Sequence, residues 1–338
     1  MTDDEKFMRE AILLARRGIG KTRPNPAVGC VLVKNGRIIA RGYHRRAGQP
    51  HAEIEALRAL KNPARARGAT AYLTLEPCST HGRTPPCTEA LIRAGIARVV
   101  SGAIDPNPKH RGRGLRHLAQ AGVKTTSGVL ADQCAALNPE FHHFMATGLP
   151  WGVAKCGMSL DGRLTRPPGE GQWITSPAAR ADAMKLRARV EAILVGAGTI
   201  RADDPALTVR GLKSAEQPRR IIWAPRTQPS AKAKVFTDRH RERTMVLRQT
   251  TLRAALRALG RQGIQSVLVE GGGRTLGKLF ASRLANEVVF YVGPMLAGGS
   301  VTAVAGTKLT PPAALTQPLV ARLGSCLRLS GRVEIGKG

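Results

Sequence analysis

Cysteine is sparse in this chain of 338 residues, with six in all: Cys30, Cys78, Cys87, Cys134, Cys156 and Cys326. That count excludes a disulfide-stapled scaffold, and paired cysteines in a reducing compartment point instead to metal or redox chemistry. Long apolar runs are missing; none approaches the roughly 20 residues that a membrane-spanning helix needs. The N-terminus, MTDDEKFMRE, lacks the basic region and apolar core of a signal peptide, so a cytoplasmic protein is expected, without membrane partners. Aromatic residues are few: three Trp, three Tyr and six Phe, too few for the interleaved stacking platforms of a single-strand binder. Acidic residues are few as well, 23 against 53 Lys and Arg, which leaves a formal charge of +30. Such a field attracts nucleic acid, phosphorylated ligands and acidic partners alike. The arginines are scattered, often one per helical turn (RARARG, RGRGLRHL), which reads as a solvated basic surface and does not favour a dedicated nucleic-acid site.

What is abundant points to an α/β protein. Thirty-seven glycines and 22 prolines supply many tight connections, and 42% hydrophobic content describes a folded chain. DEKFMREAILLARRG has helical apolar spacing after an acidic start. VGCVLV and RIIARGY read as strands around Asn35-Gly36, a hairpin turn signal. HAEIEALRAL, TEALIRAGI and GLRHLAQAG read as helices, alternating with the strands ATAYLTLEP and ARVVSGAID. A boundary is expected within ATGLP, giving domains of 1–147 and 148–338. In the second, WGVAKCGMSLDGRL, EAILVGAG, RRIIWA, SVLVEGGG and NEVVFYVGP read as strands. SPAARADAMKLRARV, TLRAALRALG and TLGKLFASRLA read as helices between them.

The segment 76–87, EPCSTHGRTPPC, places two cysteines in a loop of proline, glycine and threonine. Upstream, His51-Ala52-Glu53 opens a predicted helix. His-x-Glu followed by Pro-Cys and a second cysteine is the pattern of zinc deaminases. His51, Cys78 and Cys87 would hold Zn²⁺ and leave a fourth position to water; Glu53, not a ligand, would carry its proton. The eight residues between the cysteines depart from the commoner Cys-x-x-Cys, and His81, inside the loop, is the rival ligand.

Residues 267–278, VLVEGGGRTLGK, form a second chemical feature. A strand ends in three glycines and passes into a helix whose N-terminus suits a phosphate, with Arg274 and Lys278 adding charge fit for a 2′-phosphate. VGAGTIR (195–201) is a weaker glycine signal.

The long cysteine loop, with TRPNPAVGCVLV, GYHRRAGQPHAE and DPNPKHRGRG around it, resembles the bifunctional deaminase/reductase family of riboflavin biosynthesis. AKCGMSLDGRL, GQWITSP, RADDPALTVR and LVEGGG extend the resemblance over nearly the whole chain. It implies a cytidine-deaminase-like three-layer domain followed by a dihydrofolate-reductase-like domain. The implied cofactors are Zn²⁺ and NADPH, the implied substrate is a diaminopyrimidinone bearing a phosphoribosylamino group, and the implied assembly is a homo-oligomer. Deamination would give the uracil, and hydride transfer to C1′ would convert ribosylamino to ribitylamino.

By the matching motifs, Asn25, His44 and His81 would hold the first substrate. Gly157, Trp173, Thr199, Asp203, Gly272, Gly273, Arg274, Thr275, Leu276, Gly277 and Lys278 would contact NADPH. Lys155, Gly171, Arg187, Leu207, Arg210 and Glu270 would face the second substrate, with the arginines suited to its 5′-phosphate. Lys155 and Asp161 are candidates for proton handling, and Asp161 reads equally as a turn residue. Thr80, Gly171 and Ala224-Pro225 depart from the family pattern. Two other readings stay open: an active deaminase with an impaired reductase half, and a nucleic-acid-editing deaminase, for which the reductase motifs would have no use.

Overall fold

The computed structural model describes residues 1–80, 85–108, 110–165, 173–212, 216–306 and 308–335. The chain divides into two compact units, Met1–Thr147 and Gly148–Gly338.

The first unit opens with helix α1 (Asp3–Arg16). Thr2 caps it by accepting the Glu5 N–H at 3.2 Å, while the Glu5 carboxylate accepts the Thr2 N–H at 3.1 Å. This reciprocal pair satisfies two of the donors that a helix start leaves open. Phe7, Met8, Ala11, Ile12 and Ala15 recur at helical spacing and are buried on the sheet. There β1 (Gly29–Lys34) turns through Asn35-Gly36, both at positive φ, into β2 (Arg37–Tyr43). Gly29 is required for close packing, since a Cβ would lie 2.0 Å from the Ala11 carbonyl.

The rest of the unit alternates: α2 (Ala52–Arg58), β3 (Thr70–Leu75), α3 (Cys87–Arg93), β4 (Arg98–Ala103), α4 (Arg113–Gln120) and β5 (Lys124–Ser127). Two helices, α5 (Ala131–Ala135) and α6 (Pro139–Thr147), close it. The sheet order is β2-β1-β3-β4-β5, with β1 antiparallel to both neighbours and β3, β4 and β5 parallel. One face buries Leu32, Leu73, Leu91 and Val99, the other Val31, Tyr72 and Val100, so the sheet lies between two helical layers. Each such apolar side chain contributes ~1.5–3 kcal/mol when removed from water.

The second unit contains β6 (Trp151–Ser159), α7 (Pro177–Arg189), β7 (Ala192–Gly196), α8 (Ala197–Asp203), β8 (Arg219–Trp223), α9 (Lys234–Thr237) and β9 (Thr244–Leu247). Then come α10 (Leu252–Arg261), β10 (Ser266–Val269), α11 (Gly273–Ala281), β11 (Glu287–Gly293), β12 (Ala313–Leu323) and β13 (Cys326–Ile335). Its sheet runs β12-β13-β11-β6-β10-β7-β8-β9. The six strands from β11 to β9 are parallel, and β12 and β13 add an antiparallel edge. Parallel strands covered on both faces read as continuous apolar runs, as in AILVG, RRIIW and SVLV.

The β12–β13 hairpin is the main element that the sequence pattern does not announce. Arginines are interspersed with leucines there, the pair is almost nowhere buried, and Pro318 lies in a register break between Thr316 and Leu319. WGVAKCGMSLDGRL is also shorter as a strand than its apolar pattern implies, because β6 stops at Ser159 and Asp161-Gly162 turns. Among the described residues no helix is long and apolar enough to cross a membrane.

Candidate active sites

In the first unit three ligand-bearing residues come from three elements. Cys78 follows the end of β3; His51 is the residue before α2; Cys87 is the first residue of α3. In open α/β sheets the carboxyl ends of parallel strands and the starts of the following helices form the binding crevice. His51 Nδ1 lies 3.3 Å from Cys87 Sγ and 3.7 Å from Cys78 Sγ, and all three ligand atoms fall within 4.8 Å of one another. The Cys87 backbone N–H donates to Cys78 Sγ at 3.3 Å. Donation from Cys87 lowers the pKa of the Cys78 thiol, and the hydrogen bond to Cys78 raises that of the His51 ring. One imidazole nitrogen and two sulfurs converging in this way fit a tetrahedral zinc with its fourth position open.

Glu53, the second residue of α2, is 3% exposed, and burial pushes its carboxyl pKa up. His44 is no surface histidine. It is 2% exposed, its Nδ1–H donates to the Pro50 carbonyl at 3.0 Å, and its Nε2 accepts from the Asn25 amide at 3.3 Å. A carbonyl only accepts, so the proton sits on Nδ1 and the ring is neutral. The His44 ring stands edge-on to His51 with centroids 5.3 Å apart. Asn25, His44, His51, Glu53, Cys78 and Cys87 are thus tied into one neighbourhood by direct contacts and the chain segments between them, while His81 lies outside the described residues. The Pro50 carbonyl and Glu76 complete this neighbourhood. No residue-type pattern marks a carbonyl, and the Glu76 signal is its place directly before Pro77-Cys78.

In the second unit, Glu270 follows β10 and forms a buried ion-pair cluster. Arg187 Nε donates to its Oε1 at 2.8 Å and Arg187 Nη2 to its Oε2 at 2.7 Å, while Lys155 Nζ is 3.9 Å away. Burial alone would raise the Glu270 pKa; the charges of Lys155 and Arg187 outweigh it and hold the carboxyl at about 2. Arg187 also donates to the Thr208 carbonyl at 2.9 Å, beside Leu207, which is buried in left-handed backbone at φ +51. Residues held in that state cluster at ligand clamps. The guanidinium fork of Arg187 is thus engaged by the Glu270 carboxylate. Arg210 is exposed.

The glycines of the 271–277 segment divide by cause. A Cβ at Gly273 would lie 2.0 Å from the Thr302 carbonyl, at Gly277 1.9 Å from the Ala305 carbonyl, and at Gly271 2.5 Å from Thr275 Cβ, so packing demands these three. At Gly198 a Cβ would meet nothing within 4 Å, and at Gly272 only Thr199 Oγ1 at 3.9 Å; neither has positive φ. Neither packing nor conformation explains these two. Gly272 caps α11 and its N–H donates to Thr199 Oγ1 at 3.3 Å, next to Gly198 in α8, and an open glycine at a helix N-terminus fits a dinucleotide phosphate. Gly277→Ala is expected to lower stability by about 1–3 kcal/mol. Denaturant unfolding followed by tryptophan fluorescence checks this, since Trp151, Trp173 and Trp223 all belong to the second unit.

The other expected cofactor positions are less gathered. Trp173 is half-exposed with the Arg180 guanidinium 4.9 Å over its ring. Lys278 Nζ sits 5.0 Å over Trp223, Arg274 and Asp203 are exposed, Leu276 is buried in the core, and Gly157 faces Thr175. Gly171 lies outside the described residues. Asp161 accepts from the Ser159 hydroxyl and the Ala297 and Gly298 N–H groups, which lowers its pKa. These bonds pin the turn, the second of the two readings given for Asp161. Ala224, at one departure from the family pattern, donates its N–H to the Leu247 carbonyl at 2.9 Å and is buried.

Fold and sites together define a hydrolytic deaminase joined to a reductase. Residues 1–103 match the cytidine and deoxycytidylate deaminase zinc-binding region, and residues 150–327 match the RibD C-terminal domain. The riboflavin biosynthesis protein RibD of Escherichia coli is 44% identical, the match covering 87% of this chain and 89% of that protein. Acinetobacter baumannii RibD superposes with a TM-score of 0.88 at 38% identity, covering 98% of this chain and 99% of that one. A diaminohydroxyphosphoribosylaminopyrimidine deaminase/5-amino-6-(5-phosphoribosylamino)uracil reductase from Thermotoga maritima superposes at 0.85 with 33% identity, covering 98% and 99%. The chain belongs to the RibD family of bifunctional deaminase/reductases in riboflavin biosynthesis.

Proposed function

We propose that the first unit deaminates 2,5-diamino-6-(5-phosphoribosylamino)pyrimidin-4-one and that the second reduces the resulting aminouracil with NADPH. The observation that carries this reading is the His51–Cys78–Cys87 triad beside a buried Glu53. When bound, zinc supplies the nucleophile by lowering the pKa of a water toward neutrality. Glu53 takes one proton from the attacking water and passes it to the ring nitrogen, then takes the second from the new hydroxyl and passes it to the departing amine. A C–O bond forms, the C–N bond breaks, and ammonia leaves. Asn25 and neutral His44 lock one another beside His51 and set the wall against which the pyrimidine is oriented.

In the second unit the nicotinamide, when bound, supplies hydride to C1′ of the sugar. Lys155, held by Glu270, is assigned the proton that the ring oxygen needs as the ribose opens to ribityl. Glu270 and Arg187 fix the Lys155 charge and the Leu207–Thr208 segment; Arg210 is the assigned 5′-phosphate contact. The pyrophosphate is assigned to Gly272 and the start of α11, and the basic side chains Arg274 and Lys278 near that turn support NADPH as the donor.

Zinc removal separates the two halves. Protein dialysed against a chelator is expected to release no ammonia from the diaminopyrimidine, yet to oxidise NADPH at the holoenzyme rate when given the aminouracil. Added zinc restores ammonia release. A chelated protein that still deaminates would overturn the assignment of the triad.

A further inference from the structure

Glu76 sits where β3 ends, two residues before Cys78, and is 5% exposed. Its carboxylate gathers backbone donors from a different part of the chain. Oε2 accepts from the Asp105 N–H at 3.1 Å and the Gly112 N–H at 2.9 Å; Oε1 accepts from Gly114 at 2.9 Å and Leu115 at 3.4 Å. Helix α4 starts here with Gly112 as its N-cap, in left-handed backbone at φ +70 and without a side chain to cap with. The first turn of a helix leaves N–H groups unpaired, and a carboxylate satisfies them best. Glu76 supplies from the sheet what Gly112 lacks.

The same place shows a second constraint. A Cβ on Gly114 would lie 2.1 Å from the Pro77 carbonyl, so the start of α4 is seated directly on the residue before Cys78. Asp105, partly buried, is tied to the same carboxylate through its backbone N–H at 3.1 Å. Asp105 and the start of α4 therefore border the metal triad, and one carboxylate sets their distance from it.

We infer that Glu76 is a positioning residue for deamination: it fixes Asp105 and the start of α4 as a wall of the pyrimidine site, separately from holding zinc. The inference rests on the deaminase reading above. A misplacement of about 1 Å at a reacting site costs up to ~10²-fold in rate. In Glu76→Gln the amide NH₂ would face backbone N–H groups in place of an acceptor, so the wall shifts while side-chain volume is kept.

The test uses zinc-loaded full-length protein, with zinc stoichiometry, kcat and KM for ammonia release, and NADPH oxidation on the aminouracil as readouts. For Glu76→Gln the expected result is a KM raised roughly tenfold or more with a smaller change in kcat, zinc at the wild-type ratio, and an unchanged second reaction. Gly114→Ala, which keeps the carboxylate and displaces α4 from the other side, is expected to raise KM in the same way, and Glu76→Asp to recover part of it. An unchanged KM in Glu76→Gln overturns the inference, as does loss of zinc in step with activity. If Glu76→Gln does not fold, Gly114→Ala decides alone, and its wild-type KM overturns the inference. Absence of ammonia release by the wild-type protein refutes the deaminase reading itself, a different outcome from wild-type turnover matched by the variants.

Discussion

Glu53→Gln is expected to keep its zinc and lose ammonia release by about 10²–10⁴-fold, the contribution of a positioned general acid–base group. Glutamine has the shape of the glutamate it replaces and leaves His51, Cys78 and Cys87 untouched, so the metal ratio should stay at the wild-type value. Stability should not fall, because Glu53 is 3% exposed and a buried carboxylate costs desolvation that an amide avoids. The measurement is zinc by elemental analysis beside ammonia release under saturating substrate. Retained turnover would move the proton-carrying role elsewhere in the site.

The second large effect concerns folding. Glu270→Ala removes the acceptor that neutralises Arg187 and Lys155 in a site where Arg187 is 11% and Glu270 7% exposed. Breaking a buried pair by deleting one partner costs about 3–5 kcal/mol, because the surviving charge has no counterion. Thr208 alone cannot compensate, since it offers Arg187 one carbonyl in place of two carboxylate oxygens. Tryptophan fluorescence during urea unfolding reads this loss in the second unit alone. The pH dependence follows from the same cluster. A carboxyl held below its ordinary value contributes stability that is complete above about 4.5 and fades as pH falls toward about 2, so the wild-type advantage over Glu270→Ala should shrink in that window. A variant with wild-type stability at neutral pH would show that the cluster is solvated.

The deaminase site was legible because its chemistry needs particular residue types at fixed chain positions. His51-x-Glu53 places one ligand and the proton carrier at the start of α2, Pro77-Cys78 places a second ligand just past β3, and the strand–loop–helix order brings Cys87 to them. His44 could be named from its motif, but its burial and its bonds to Pro50 and Asn25 depend on contacts that no local pattern encodes. The glycine turn at 271–273 was visible, yet which glycines serve packing and which leave space is decided by Thr302 and Ala305, some 30 residues later. An arginine fork suits phosphate by residue type alone, whereas its pairing with Glu270, 83 residues away, is set by the fold. The β12–β13 hairpin stayed hidden because exposed strands carry arginine where a period-two apolar pattern would be sought.

The most direct measurement gives zinc-loaded protein the diaminopyrimidinone ribosylamine phosphate together with NADPH, and follows ammonia and NADPH in one reaction. Ammonia should appear first, and NADPH oxidation should follow to the same final amount. NADPH oxidation without prior ammonia would contradict the order, ammonia without NADPH oxidation would contradict the assignment of the second unit, and silence in both would contradict the substrate.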